Sequence, residues 1–226
     1  MGAVVNESQH PERSSRAYDT RRRRKAAEAS RRRVLARARE MFLSEGYGRT
    51  TVAAIAQAAG VSQESVYKSF GGKPGLVRAI QEQSLLGAGG PPAEERSDRA
   101  QATATNGREL MEQFGRFTTE ISPLGAPIIL LIRDAAASGD ADMAALLRDV
   151  EDAQHRRMLH NARQVADRGL LREDVSVHDA ADVMFACTSV GLYESLVLKR
   201  GWSPERYGRF IAETLAANLL PPSVGA

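Results

Sequence analysis

From about residue 26 to residue 219 the apolar residues recur at three- and four-residue steps. No stretch alternates apolar with polar between turn residues. That period confines the chain to packed helices, an all-α fold. Glycine and proline supply the punctuation: Gly46, Gly60, Gly71-Gly72, the run Gly87 to Pro92, Pro123, Gly139, Gly169 and Gly201 to Pro204. The spacing predicts helices over about 26–45, 52–60, 62–70 and 73–86, then 97–120, 123–137, 141–168, 176–199 and 204–219. No 20–50-residue repeat interrupts this pattern.

Of the 226 residues, 42% are hydrophobic and 26% charged, enough to build a core and too apolar for global disorder. A single thiol, Cys187, excludes an internal disulfide framework and suits a reducing compartment. With no apolar run of about 18 residues and a polar, arginine-rich start, the expectation is a cytoplasmic protein without a membrane span. Charge divides the chain more sharply than composition. Residues 1–80 hold 16 Lys and Arg against 7 Asp and Glu, whereas the remainder holds 15 against 21. The front part therefore suits a polyanionic partner, although the basic runs Arg21 to Lys25 and Arg31 to Arg33 supply eight of those charges.

Three units follow: a flexible basic arm over 1–25, a first helical domain over 26–86, and a larger one over 97–220. In the first domain a long helix carries Val34, Leu35, Ala38, Met41 and Phe42 on one side. Behind it come two short helices joined through Gly60, which can take a positive φ without steric cost. Ala56 and Ala59 are small where two helices would cross, and Val61 and Val66 are apolar where the second short helix would dock. This is a helix-turn-helix, whose outward polar face over 62–69 suits a major groove.

The residues Val34-Leu35-x-x-Ala38-x-x-Met41-Phe42-x-x-x-Gly46-Tyr47 resemble the tetracycline-repressor (TetR) family of bacterial regulators. The likeness continues through Thr50-Thr51-Val52-x-x-Ile55-Ala56-x-x-Ala59-Gly60-Val61-Ser62 and Val66-Tyr67-x-x-Phe70-x-x-Lys73-x-x-Leu76. It covers about 45 contiguous residues. Beyond them the chain is similar to the family only in length and helical character. The resemblance implies a DNA-binding transcriptional regulator that binds a pseudo-palindromic operator as a homodimer and is released by a small-molecule effector. Repression is the commoner family role, and the residues do not separate it from activation.

Position by position, the resemblance implies phosphate contacts from Thr50, Thr51, Tyr67 and Lys73. It implies groove contacts from Ser62, Gln63, Glu64, Ser65 and Lys68. Gln63 suits adenine and Glu64 suits the amino group of cytosine. Two of these have plainer readings, Tyr67 as part of the core and Glu64 as a partner of Lys68 one turn on. The arm before residue 30 is longer and more basic than the family requires. It either follows a minor groove and adds phosphate contacts or is a tail without contact.

The resemblance also implies that helices 176–199 and 204–219 form a dimer interface, through Val183, Val190, Leu196, Val197, Phe210, Ile211, Leu215 and Leu219. The alternative is that these residues serve one chain's own core. For the effector, Phe114, Phe117, Ile129, Met158, Phe185 and Tyr193 are candidates for an apolar pocket, with Arg133, His155 and His160 as polar contacts. Plain core packing is the competing reading. No Ser-His-Asp set, phosphate-binding glycine loop or metal-spaced Cys/His cluster can be assembled, so no enzyme activity, cofactor or metal is expected.

Overall fold

The computed structural model describes residues 12–86 and 91–222, with side chains described from residue 21 onward. Helix α1 spans Glu12–Glu45, α2 Val52–Ala59, α3 Gln63–Phe70 and α4 Lys73–Ser84. The rest is α5 Ala93–Thr103, α6 Gly107–Ala137, α7 Ala141–Asp167, α8 Val177–Cys187, α9 Val190–Tyr193 and α10 Pro204–Leu219. A π turn, Glu194–Leu198, prolongs α9. The described residues contain no strand, so the fold is all-α, with an N-terminal helix-turn-helix domain and a larger helical domain behind it.

Several boundaries differ from the sequence expectation, each for a local reason. Segment 12–25, expected as a flexible arm, is the first part of α1. It lacks an apolar period, but its Arg, Lys, Ala and Glu are strong helix formers and need no buried stripe. Residues 1–11 of the arm, and 87–90 of the expected linker, lie outside the described residues. Helix 97–120 is two helices, because Asn106 caps α6 by accepting from the Glu109 N–H at 2.9 Å. Glu109 in turn accepts from the Thr105 N–H at 2.7 Å. This reciprocal cap is written in the sequence as Thr105-Asn106-x-x-Glu109.

Pro123 does not end a helix. Helix α6 runs through both Pro123 and Pro127, which remove two N–H donors from its interior. Beside them Arg39 of α1 donates to the Leu124 carbonyl at 2.8 Å. The expected helix 176–199 instead breaks at Thr188. The carbonyls freed there are used from outside, with Gln154 Nε2 donating to the Thr188 oxygen at 3.0 Å and the Tyr207 hydroxyl to that of Cys187 at 3.3 Å. Contrary to the expectation of no such stretch, Val177–Leu198 is apolar and long enough by composition to cross a membrane. It is broken at Thr188, and Ala180, Ala181, Met184, Cys187 and Tyr193 within it are buried in the second core.

Two apolar cores result. One joins Val34, Phe42, Ile55, Val66, Leu76 and Ile80 of α1–α4 with Ile128 and Ile132 of α6 and Met143 and Leu146 of α7. The other lies among the remainder of α6 and α7 with α8, α9 and α10, around Leu110, Met111, Val165, Met184, Tyr207 and Ile211. Helices α6 and α10 cross at Gly115 and Gly208. A Cβ on Gly208 would collide with the Thr119 hydroxyl and the Gly115 carbonyl, and one on Gly115 with the Gly208 carbonyl. Gly208→Ala is therefore expected to destabilise the fold by about 1–3 kcal/mol, read as a lower midpoint in urea unfolding. Gly48→Ala, whose Cβ would meet nothing within 4 Å, is expected to stay within about 0.5 kcal/mol. Equal midpoints for the two would contradict this crossing.

Candidate nucleic-acid interface

An eight-residue helix such as α3 is marginal in water on its own. Its neighbours hold it. The Ser62 hydroxyl caps its start, accepting from the Ser65 N–H at 3.1 Å, a cap of the kind that contributes about 1 kcal/mol. Gly71, at φ 73°, closes its end by donating to the Tyr67 carbonyl at 2.7 Å. Before it, Gly60 takes φ 67°, and the Val61 N–H turns back to the Ala56 carbonyl at 3.0 Å. Val66 is the side chain of α3 that enters the core. Ser62, Gln63, Glu64, Ser65, Tyr67 and Lys68 are all exposed, Tyr67 by 54%.

Two residues that the sequence did not single out fix how α3 is aimed. Arg31 of α1 places its guanidinium 4.5 Å from the centre of the Phe70 ring and donates to the Ser69 carbonyl at 3.4 Å. This puts a cation at the helix end that favours one. Its position one turn before the buried stripe Val34-Leu35-Ala38 was the available signal. Gly75 lets α4 pass directly against the Phe70 carbonyl, where a Cβ would overlap the oxygen.

The phosphate-contact expectations divide. Thr51 is exposed and caps α2, accepting from the Ala54 N–H at 3.1 Å. Thr50 is turned inward, 1% exposed, with its hydroxyl donating to the Gly46 carbonyl at 2.9 Å. It secures the turn after α1 and presents no hydroxyl to solvent. Lys73 is half-buried, its ammonium 4.2 Å from the centre of the Tyr47 ring. Burial pulls the Lys73 pKa down, opposed by Asp140. Burial also pushes the Tyr47 phenol up to about 12, helped by Asp140 and Asp142.

Residues 34–80 match the family model described as bacterial regulatory proteins, tetR family. The N-terminal domain is thus similar to the DNA-binding domain of the tetR family. The whole fold is similar to that of SmeT in its triclosan complex, at 20% identity and a TM-score of 0.70, over 88% of this chain and 95% of that one. It is also similar to native NalD, the secondary repressor of the MexAB-OprM multidrug efflux pump in Pseudomonas aeruginosa. That likeness has 20% identity and a TM-score of 0.68, covering 88% of this chain and 100% of that one. A third similarity is to FadR, a fatty acid degradation regulator from Bacillus halodurans, at 14% identity and a TM-score of 0.63, over 82% and 94%. None of the curated protein sequences compared with the chain matches it.

Behind the N-terminal domain, the side chains considered for an effector pocket are spread among separate contacts. Arg133 donates to Glu194 at 2.8 Å, and Arg133 with Lys199 holds that carboxyl down at about 2. His155 meets the Phe185 ring edge-on and Asp182 at 2.8 Å, while His160 reaches Asp98 at 3.2 Å. Tyr193 is buried edge-on against Tyr207, and Phe117 lies beneath Arg96. Phe114 and Met158 pack on the second core, and Ile129 is half-buried on α6. Of these nine side chains, His160 alone lines any of three surface grooves of about 550, 480 and 370 Å³, the third of them. Buried between α5, α6 and α7, Gln101 Oε1 and Arg96 Nε and Nη2 have no hydrogen-bond partner among the described residues.

Of the residues considered for dimerisation, Ile211, Leu215 and Leu219 are fully enclosed within their own chain, which corrects the interface reading for them. They share the face of α10 that packs into the second core against α6 and α8. Val183, Val190, Leu196, Val197 and Phe210 are half-buried, and Leu198, not anticipated, is 53% exposed.

The burial difference between Thr50 and Tyr67 has a direct consequence. Thr50→Val, which removes the hydrogen bonds of a buried hydroxyl to the Gly46 and Met41 carbonyls, is expected to cost about 1 kcal/mol of folding stability. Tyr67→Phe is expected to change it by less than about 0.5 kcal/mol. Chemical denaturation checks both, and the opposite order would contradict the placement of these two side chains.

Proposed function

We propose that the chain is a transcriptional regulator, a repressor, that acts by binding rather than catalysis. Two copies seat α3 in successive major grooves of a pseudo-palindromic operator, and a small, largely apolar effector releases them. The observation that carries this reading is α3 itself: capped at both ends, anchored through Val66, with its remaining polar side chains offered outward. Ser62, Gln63, Glu64, Ser65 and Lys68 then face the groove, while Thr51 and Tyr67 meet phosphates. Lys73 joins them by leaving the Tyr47 ring, at the cost of one cation–π contact.

Dimerisation follows from the geometry of DNA. Two recognition helices serve half-sites about 34–36 Å apart only when a two-fold axis relates them. The apolar surface that suits such an axis runs through Val190, Leu196, Val197 and Leu198 with Phe210. The effector reading draws on the triclosan complex of SmeT and on the efflux-pump repressor NalD. Within this chain it draws on the unpartnered Gln101 and Arg96 atoms, which would gain partners from a ligand's polar end. Release requires the effector to favour a dimer state with lower DNA affinity, a coupling of about 1–3 kcal/mol in typical cases.

Selection of bound fragments from a digested genome, followed by footprinting, tests this reading. The expected result is a compact pseudo-palindrome protected on both half-sites. Within it, Gln63→Ala should relax preference at one base pair per half-site by about 1–3 kcal/mol. Recovery of no site in the absence of any added compound would contradict operator binding, and protection of a single half-site would contradict binding as a dimer.

A further inference from the structure

The part of α1 that precedes the first core residue, Val34, spans residues 12–33, about 33 Å at 1.5 Å per residue. From it we infer a second DNA-binding surface, a basic helix that lies across the phosphates flanking the half-site occupied by α3. The inference rests on the operator-binding reading for α3 and adds a contact that the reading does not require.

Three observations carry it. Arg21, Arg22, Arg23, Arg24, Lys25, Arg32 and Arg33 are exposed, and among the described side chains none of them pairs with a carboxylate. The first ion pair of α1 there is Arg37 with Glu40. Five consecutive basic residues at 100° per residue carry charge around the whole circumference. Between residues 21 and 33 the sequence RRRRKAAEASRRR has no apolar side chain larger than alanine. An amphipathic membrane helix needs an apolar face, and this segment has none. A polyanion is the partner that remains. Finally, Arg31 fixes the root of the segment to Ser69 and Phe70, the last turn of α3. When α3 is seated in a groove, the extension leaves from beside it, with a length close to one duplex turn of about 34–36 Å.

Helical form also decides how the contact is made. A helix about 10–12 Å across does not enter a minor groove about 6 Å wide. The segment therefore rests on the backbone and neutralises phosphates without reading bases. This replaces the minor-groove path that an extended arm would have taken.

The test replaces Arg21, Arg22, Arg23, Arg24 and Lys25 together by Gln, which preserves helix propensity. If the unfolding midpoint drops, the milder pair Arg21→Gln with Arg24→Gln takes its place. Binding is titrated against salt on two duplexes, the footprinted site with a full turn of flanking DNA on each side and a random sequence of equal length. The slope of log K against log salt should become shallower by about 0.9 for each phosphate no longer neutralised, about 3.6 for a dimer that neutralises two fewer per subunit. Affinity at low salt should fall about tenfold or more. Unchanged slopes on both duplexes would overturn the inference, as would a stronger dependence of RNA binding than of DNA binding on these five residues. A shallower slope on the random duplex, with no specific site recovered, would defeat the operator reading, and with it the place beside a half-site, while keeping the basic helix as a phosphate-binding surface.

Discussion

One face of α6 passes from one core to the other. Leu110 and Met111, at its start, pack with α10 in the rear bundle, while Ile128 and Ile132, at its far end, pack beneath α1 and α4. Helix α7 does the same in reverse, giving Met143 and Leu146 to the front core and Ala162 and Val165 to the rear one. The N-terminal domain thus cannot close its own core without the C-terminal half of α6. Close-packed interiors transmit displacement rather than absorb it, so a shift of α6 against α10 at Gly115 and Gly208 is felt where α1 and α4 are seated. Two polar ties accompany the shared core: Arg39 to the Leu124 carbonyl, beside the prolines of α6, and Arg78 to Asp149 at 2.7 Å. In the proposed regulator these are the elements through which an effector would bias the aim of α3.

Much of this architecture was legible in the residues. The helix-turn-helix was read from Gly60, Val61, Ser62 and Val66 because each has a single local job there: a positive φ, a docking contact, a cap and a buried anchor. Exposure of 62–65, 67 and 68 followed from the 3.6-residue period alone. Helix boundaries in the rear domain were less legible. Pro123 reads as a stop because an isolated helix cannot spare the donor. The helices packed against α6 hold it through the interruption, and they are visible only in three dimensions. The break at Thr188 is of the same kind, since its exposed carbonyls are satisfied by Gln154 and Tyr207, which lie far away in sequence.

Side-chain direction was the other limit. Thr50 and Thr51 are adjacent and chemically equivalent, yet one is buried and the other caps a helix. Only the turn geometry after Gly46 separates them. For the effector candidates, aromatic and methionine residues at helical spacing carry no sign of whether they line a cavity or fill a core. The polar atoms left without partners, on Gln101 and Arg96, come from α5, a helix whose start and end were misplaced by sequence reasoning. Charge, by contrast, was readable from the outset. What the structure adds is that the basic run forms a helix rooted beside α3.

Everything proposed for this chain depends on the outward face of α3 being the surface that meets DNA. Hydrogen–deuterium exchange of the protein alone and bound to its footprinted site reports this directly, residue segment by residue segment. Protection on binding should concentrate in residues 62–73, with residues of α8 and α10 little changed. Tight, site-specific binding that left 62–70 exchanging as in the free protein would contradict that role for α3.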